Sequence, residues 1–391
     1  MINYSSKINR LPDNITEKVL NFTAGSKNVL SLAGGTPTFK IPVAILNDVF
    51  KIAKDNFKLC QYTPSSSGLI ELKEAIAADL SKEFNKKVPA DEILVTSGST
   101  AAIFTVLSCF INHEDKVIVT SPHWSLYLDQ CILSGGKPIS FILNEKKGWQ
   151  IDIDKFRSLI INQKAKVVII ADPNNPTGTI LSSDPQERRQ LLQTIRRSEA
   201  IFILDETYRN IIDKEITFES LAKSNCKNII LCRSFSKDFS MSGFRLGYVY
   251  AHKEIVKKLH AVHTAINLSS PTLSQYLALE IFKRKEKFIM ENSNHYSRLR
   301  KKVCEHLDTL SCHFEYVKPQ AGYFVFPKYH QKINSIEFYK LLMSAGVAVR
   351  PGIGFGQGGE NHIRISFTGN VETIDLAFEQ IKKVLDHGAI L

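Results

Sequence analysis

The sequence lacks the features of a membrane, secreted or metal-binding protein. No apolar run reaches the length of about 18 residues that a membrane-spanning helix needs. Residues 1–7 show no charged stretch leading into an apolar one, so we expect no signal peptide and a cytoplasmic protein. The 7 cysteines are scattered, odd in number and without C-x-x-C spacing. We therefore expect reduced, mostly buried thiols, no disulfide framework and no metal site.

Acidic residues are in the minority, at 39 Asp and Glu against 50 Lys and Arg, which gives a net charge of +11. The densest basic clusters, at residues 283–287 and 298–302, are interrupted by acidic or apolar residues at helical spacing. This pattern favours the solvated face of a helix over a nucleic-acid site, and we expect neither a nucleic acid nor a membrane as partner. A mildly positive field also suits small anionic substrates and cofactors.

Residues 234–245 are the stretch around which the chain is organised. They follow an apolar run that predicts a buried strand, and they contain Lys237, Arg245 and several serines. A lysine amine held among apolar neighbours loses its charge more readily and becomes a better nucleophile. Arg245 and serine hydroxyls can bind an anion beside it. This pairing predicts a Schiff base with a phosphorylated aldehyde, pyridoxal phosphate (PLP), while a plain polar turn stays an open alternative for the stretch by itself.

Apolar runs predict further strands that alternate with helices. They lie near residues 92, 116, 166, 200, 228 and 246, and they indicate an α/β fold with a mostly parallel central sheet flanked by helices. A long helical stretch is predicted over residues 271–307, and a smaller α+β region follows it. The length of 391 residues allows two such domains.

Polar and aromatic residues follow these strands where open α/β sheets bind ligands. Ser99 and Thr100 stand in a small-residue turn before a helix, where free backbone N–H groups attract phosphate. Trp124 can stack on a flat ring, or it can fill the core. Asn175 precedes a proline whose peptide bond is a candidate for the cis form, and its amide can bind a ligand oxygen.

Two charged residues in apolar strands need partners. Asp205 ends a buried strand and would suit a protonated pyridine nitrogen, with Tyr208 able to bond a phenolic oxygen. Arg364 lies in an alternating apolar strand near the C-terminus, where it would pair with a substrate carboxylate or with a protein acid. The glycines at 34–35 allow backbone to approach a ligand, and Tyr62 lies in a loop. For each of these residues, a purely structural role is the alternative to ligand binding.

Taken in order, these motifs resemble the class I/II aminotransferases of the PLP-dependent fold type I, and the aspartate and aromatic aminotransferase subgroup in particular. The resemblance runs from about residue 34 to 367 and rests on Asn-Pro-Thr-Gly at 175–178, Asp-Glu-Thr-Tyr at 205–208, Ser-Phe-Ser-Lys at 234–237 with Arg245, and Arg364. It implies three domains: residues 1–44 as an N-terminal arm with part of the small domain, 45–285 as the large PLP-binding domain and 286–391 as the C-terminal small domain.

The resemblance also implies a role for each site residue. Lys237, Asp205 and Tyr208 would be catalytic: Lys237 as the Schiff-base lysine and proton carrier, Asp205 at the ring nitrogen and Tyr208 at the ring's phenolate. The cofactor would further be held by Ser99, Thr100, Trp124, Asn175, Ser234, Arg245 and, from a neighbouring subunit, Tyr62, which implies a homodimer with shared active sites. The substrate would be bound by Gly35, Trp124, Asn175 and Arg364, with the carboxylate on Arg364.

The expected reaction is ping-pong transfer of the amino group of an L-α-amino acid, aspartate or an aromatic one, to a 2-oxo acid such as 2-oxoglutarate. Fold does not fix reaction, so a PLP-dependent C–S β-lyase is kept as the alternative. Arg364 disfavours a decarboxylase, since a clamped carboxylate is not readily lost. A regulator would need an extra DNA-binding segment, for which we find no spare residues. No cation for a second substrate carboxylate is identified.

Overall fold

The larger part of the molecule is organised around a seven-stranded sheet. The computed structural model describes residues 3–12, 15, 19, 29–55, 57–181 and 183–386. The strands are β2 Ile93–Thr96, β3 Lys116–Ser121, β4 Lys137–Ile142, β5 Val167–Ala171, β6 Ile201–Asp205, β7 Ile229–Ser234 and β8 Gly247–Tyr250, after a short β1 at Leu30–Ser31. Their order is β2-β8-β7-β6-β5-β3-β4. β8 runs antiparallel to β2 and β7, and the other neighbouring strands are parallel to each other.

The described helices cover this sheet and continue into the C-terminal region. They are α1 Ser6–Asn9, α2 Val43–Asp55, α3 Ile70–Phe84, α4 Ser99–Phe110, α5 Leu126–Leu133, α6 Ile153–Gln163, α7 Pro185–Arg197, α8 Phe235–Asp238, α9 Lys253–Asn267, α10 Thr272–Phe282, α11 Lys285–Thr309, α12 Ser335–Ser344 and α13 Val371–Asp386. The sheet is thus mostly parallel and flanked by helices, as predicted.

Both faces of the sheet are buried, which explains why its strands are continuously apolar. Alternate residues of β3 enter different cores: Ile118 packs with α3 and α6, whereas Val117 and Val119 pack with α4 and α5. β5 alternates in the same way. Because side chains of a strand point to opposite faces in turn, this arrangement fixes the register of the sheet. The carboxyl ends of the parallel strands therefore meet at one edge.

A second core belongs to the C-terminal region. There β10 Phe324–Val325, β13 Arg350–Pro351 and β14 Ile363–Ser366 form an antiparallel sheet in the order β10-β14-β13, and β9 Phe314–Glu315 pairs with β11 Lys328–Tyr329. β1 joins this region by pairing in parallel with β12 Val347–Ala348. The α+β character agrees with the expectation, while the predicted domain limits at 44/45 and 285/286 stay a prediction.

Two predicted elements differ from the structure. β4 is an additional strand at the edge of the sheet; Pro138 near its start and its mixed burial obscured it in the sequence, and both are usual for edge strands. The helical stretch predicted over 271–307 is two helices, α10 and α11, with Lys283 and Arg284 between them. In the part of the chain that the structure describes, no helix combines the length and apolar character needed to cross a membrane.

The expectations for the basic clusters and the cysteines were partly wrong. Arg300 is only 1% exposed and donates to the carbonyl of Gly322 at 2.8 Å, so the cluster at 298–302 is not purely a solvated face. Lys285 pairs with the partly buried Asp79. Three cysteines are buried (Cys131, Cys232 and Cys304), two are half-buried and two are exposed, so they are not mostly buried. All are free thiols, and no described group of acids, cysteines or histidines could hold a metal ion.

Candidate active site

The carboxyl edge of the sheet opens into a cavity of about 360 Å³. Eleven of the twelve predicted site residues line it: Gly35, Ser99, Thr100, Trp124, Asn175, Asp205, Tyr208, Ser234, Lys237, Arg245 and Arg364. A wider surface groove of about 1040 Å³ lies elsewhere and is lined by none of the twelve. The long-range convergence follows from the topology, because the turns after successive parallel strands share one edge.

Lys237 lies at the centre of the cavity, on the single turn α8 that follows β7. Its Nζ donates to the carbonyl of Gly35 at 2.6 Å. Burial and the nearby guanidinium groups of Arg364, Arg245 and Arg350 together lower the pKa of Lys237 to about 8, against the opposing effect of Asp205. About a tenth of the amine is therefore neutral and nucleophilic at pH 7, far more than for an exposed lysine.

Asp205 ends β6 and is buried at the floor of the cavity. Its Oδ2 accepts from the Tyr127 hydroxyl at 2.6 Å, and its Oδ1 accepts from the backbone N–H and hydroxyl of Thr207 at 3.1 and 2.5 Å. Burial raises the pKa of Asp205, whereas these hydrogen bonds act in the opposite direction. The carboxylate is thus held in one orientation, with its charge available to a cationic ligand group.

An anion-binding corner lies on one side of Lys237. Arg245 extends between the β2–α4 turn and α8, and donates to the carbonyls of Ser242 and Ser97 at 3.1 and 3.4 Å. Gly98 has a φ of +91°, and a Cβ there would lie 2.7 Å from Arg245 Nη2. Only glycine lets the guanidinium come so close to the N-terminus of α4, where free N–H groups favour an anion.

Arg364, on β14, also lines the cavity. Its Nη1 donates to Asn175 Oδ1 at 3.0 Å and its Nη2 to the carbonyl of Ala33 at 3.2 Å, while its Nε is buried without a hydrogen bond. The described residues give it no carboxylate partner, which favours the ligand alternative over a structural ion pair. The Asn175–Pro176 bond is cis, as the sequence suggested.

Aromatic residues form the remaining walls. Trp124 lines the cavity and packs edge-on against Tyr127, with ring centroids 5.5 Å apart. Tyr208 packs against Tyr323, and burial raises the pKa of Tyr208 to about 12, so its hydroxyl stays a donor. Tyr323 donates to the carbonyl of Gly35 at 2.7 Å, next to the lysine amine. These contacts give the cavity aromatic, hydrogen-bond-donor and carboxylate walls, which suit a flat polar ring.

Tyr62 is the one predicted site residue that lies outside the cavity. Its side chain is 75% exposed, beside a surface depression that also contains Ser270 and Thr272. The exposed side chain is accessible to a neighbouring subunit, and it does not line the cavity of its own chain. The role of Tyr62 stays a prediction.

Among the cavity-lining residues to which the sequence analysis gave no role are Tyr127, Ser236 and Arg350. Tyr127 stands three positions after Trp124 on a helix start, and nothing in the sequence linked it to Asp205. Ser236 contacts Arg245 Nη1 at 3.4 Å, and its place beside Lys237 was a signal that could have been used. Arg350 stands in an apolar stretch like that of Arg364, which gave the same signal of a buried cation.

The residues present fit PLP, the cofactor that the resemblance implies. The glycine-dependent corner at Gly98 and Arg245 suits a phosphate, and the oriented carboxylate of Asp205 suits a ring cation. Lys237 lies between them with a partly neutral amine. Anion site, carboxylate and amine are thus arranged along one cavity, as a phosphorylated pyridine aldehyde requires.

Comparison with known proteins gives a consistent result. Residues 27–381 match the family described as aminotransferase class I and II. The chain is 34% identical to an aspartate aminotransferase of Pyrococcus abyssi over 94% of both chains, and 30% identical to a probable aspartate/prephenate aminotransferase of Aquifex aeolicus over 95% of both. The solved structure of an aromatic aminotransferase from Pyrococcus horikoshii matches with a TM-score of 0.87 and 28% identity, covering 96% of this chain and 100% of the other.

Proposed function

The chain belongs to the class I and II aminotransferases, and from this premise we propose that it transfers the amino group of an L-α-amino acid to a 2-oxo acid, with 2-oxoglutarate as acceptor. PLP, on which this family depends, supplies the aldehyde that takes up the amine and the ring that accepts electrons from Cα. The observation that carries the proposal is the placement, in one cavity, of a buried lysine amine and an arginine that has no carboxylate partner among the described residues. The names of the relatives support aspartate or an aromatic amino acid as donor.

In this proposal Lys237 holds and moves the proton. With PLP bound, its neutral amine would take the proton from the substrate Cα and hold it for transfer, and it would return a proton to Cα of the second substrate in the reverse half-reaction. The carbonyl of Gly35, 2.6 Å from Nζ, orients the amine when it is free. Asp205 keeps a proton on the ring nitrogen, and Tyr127 and Thr207 keep Asp205 in position.

The other residues bind and orient. Arg245, the N-terminus of α4 and Ser234 hold the phosphate, and Trp124 covers the ring face. Arg364, with Asn175 beside it, binds the α-carboxylate and so distinguishes amino acids from amines. Because both ends of the substrate–cofactor pair are fixed, the Cα proton is kept within reach of Lys237.

A stoichiometric assay tests the reaction. Purified protein loaded with PLP should convert an amino acid and 2-oxoglutarate to glutamate and the new oxo acid in equal amounts. Release of ammonia and pyruvate without an acceptor would instead indicate a C–S β-lyase and contradict the proposal.

Replacement of Arg364 by leucine should lower kcat/KM about 100- to 1000-fold, because two charge-assisted hydrogen bonds to the α-carboxylate are lost. The loss should fall mainly on KM and on the binding of carboxylate inhibitors, with the visible absorbance of the cofactor retained. Arg364→Lys keeps the charge but not the bidentate geometry. Its kcat/KM should therefore lie between that of Arg364→Leu and that of the unaltered protein. An Arg364→Leu variant with unchanged KM would contradict this role.

The pKa of Lys237 predicts how the cofactor-free protein takes up PLP. The neutral amine attacks the aldehyde, so the rate of cofactor attachment should rise with pH and level off above about 8, where Lys237 is deprotonated. A lysine with its ordinary pKa of about 10.4 would keep accelerating well beyond that pH. Stopped-flow absorbance of the cofactor over pH 6 to 10 measures the profile, and continued acceleration to pH 10 would contradict it.

We also propose the finer features that the sequence predicted. The protein acts as a homodimer in which Tyr62 of one subunit reaches the phosphate of the other, and the exposure of Tyr62 in a single chain supports this. The three-domain division at 44/45 and 285/286 and the cytoplasmic location are retained as predictions. Sedimentation analysis tests the dimer, and Tyr62→Phe should weaken PLP binding if the hydroxyl contacts the phosphate.

A further inference from the structure

The cavity contains a second buried arginine to which no role has been given. Arg350 lies on β13, directly opposite Arg364 of β14 in the antiparallel register. Its Nε donates to the carbonyl of Ala33 at 2.8 Å, the same oxygen that accepts from Arg364 Nη2 at 3.2 Å. The two donor nitrogens are thus no more than about 6 Å apart, each within hydrogen-bond distance of one atom.

The outer end of Arg350 is free to bind a ligand. Only its Nε bonds to a described residue, and its side chain lines the cavity although just 9% of the residue is exposed. No carboxylate among the described residues pairs with it. Burial lowers the pKa of Arg350 to about 9, and the adjacent Arg364 contributes, so the guanidinium is still charged at pH 7. A buried cation without an anion is costly, and such a group is expected where a ligand completes the pair.

A count of the charged groups in the cavity shows which cation has no anionic partner in the proposed function. Its described lining carries four cationic side chains (Lys237, Arg245, Arg350 and Arg364) and one carboxylate, that of Asp205. In the proposed function the phosphate neutralises Arg245 and the α-carboxylate neutralises Arg364, while Asp205 serves the ring nitrogen. Lys237 works partly as a neutral amine. Arg350 remains without a negative partner when a monocarboxylic substrate is bound.

We propose that Arg350 binds the side-chain carboxylate of dicarboxylic substrates, both the acidic amino acid and the acidic 2-oxo acid. This inference rests on the proposed function and adds to it the residue that recognises the second carboxylate of the substrate. A short dicarboxylate can place one carboxylate on each of the two neighbouring guanidinium groups. The same charge repels the basic side chains of lysine and arginine, so Arg350 also selects against them.

Kinetics with isosteric substrates test the proposal. Glutamate and glutamine differ only by a charged carboxylate against a neutral amide, so their kcat/KM ratio isolates the side-chain carboxylate. In Arg350→Met this ratio should fall about 10- to 100-fold, as expected for a lost charge-assisted hydrogen bond. Arg350→Lys, which keeps the charge, should recover part of the ratio. Equal losses for glutamate and glutamine would overturn the proposal and assign Arg350 to the α-carboxylate or to the support of Ala33.

A binding measurement provides a readout that does not depend on turnover. Succinate carries two carboxylates and propionate one, and both can be titrated calorimetrically into the PLP-loaded protein. Arg350→Met should weaken succinate binding about 10- to 100-fold more than propionate binding, for the same reason. An unchanged preference for succinate would overturn the proposal. If the wild-type protein transfers no amino group, the proposed function fails by itself, while the succinate preference still tests Arg350.

Discussion

Replacement of Lys237 by alanine should abolish amino transfer, with a loss in kcat of at least about 10⁴-fold, the upper range for a general acid–base group. The variant removes both the amine that binds the cofactor covalently and the group that moves the Cα proton. Its Nζ has a single hydrogen-bond acceptor among the described residues, the carbonyl of Gly35, so the truncation disturbs few other contacts. Single-turnover absorbance and steady-state amino transfer measure the loss.

Two controls make this result specific. Lys287→Ala removes a lysine that is 77% exposed on α11 and should leave the rate unchanged. Lys237→Arg retains a cation at the site but cannot supply a neutral amine near pH 8, so it should be as inactive as the alanine variant. Turnover by Lys237→Ala at the rate of the unaltered protein would show that the catalytic assignment is wrong.

Replacement of Asp205 by asparagine should give the second largest effect, a loss in kcat of about 100- to 1000-fold. The carboxylate would be paired with a ring cation in a buried site, and removing one member of such a pair costs about 3–5 kcal/mol. The amide has nearly the same shape, and its oxygen can still accept from the N–H and hydroxyl of Thr207. Its NH2 group then faces the Tyr127 hydroxyl and cannot accept from it, so the change removes the charge together with that hydrogen bond. Kinetics should be accompanied by cofactor absorbance, which shows whether the cofactor is still bound.

A graded series around Asp205 separates charge from orientation. Tyr127→Phe leaves the charge and removes one hydrogen bond of 2.6 Å, so the expected loss is about tenfold or less. Asp205→Glu keeps the charge but displaces it, so its kcat should lie between those of Tyr127→Phe and Asp205→Asn. A Tyr127→Phe variant as impaired as Asp205→Asn would show that orientation, and not charge, is the main contribution of this carboxylate.

Much of the site could be predicted because each signal is local. Asp205 and Lys237 follow apolar runs long enough to be buried strands, and a charged group in that position requires a ligand or a partner. To predict that these distant turns converge, it was enough to know that the carboxyl ends of parallel strands lie at one edge of the sheet. The edge strand β4 and the break between α10 and α11 were missed, since Pro138 and the short Lys283–Arg284 link give no strong local pattern.

The sequence by itself determined the α/β order, and it predicted the anion turn before α4 and Lys237 as the reactive amine. Only the tertiary structure decided which buried arginines have no carboxylate partner among the described residues. In sequence, Arg300, Arg350 and Arg364 are all arginines near apolar residues; in the fold, Arg300 donates to the carbonyl of Gly322, whereas Arg350 and Arg364 face one cavity. The physical reason is that a buried charge is stabilised by groups far away in the chain. Only the packing of β13 and β14 against the segment at Ala33 decides which of those groups come close to Arg350 and Arg364.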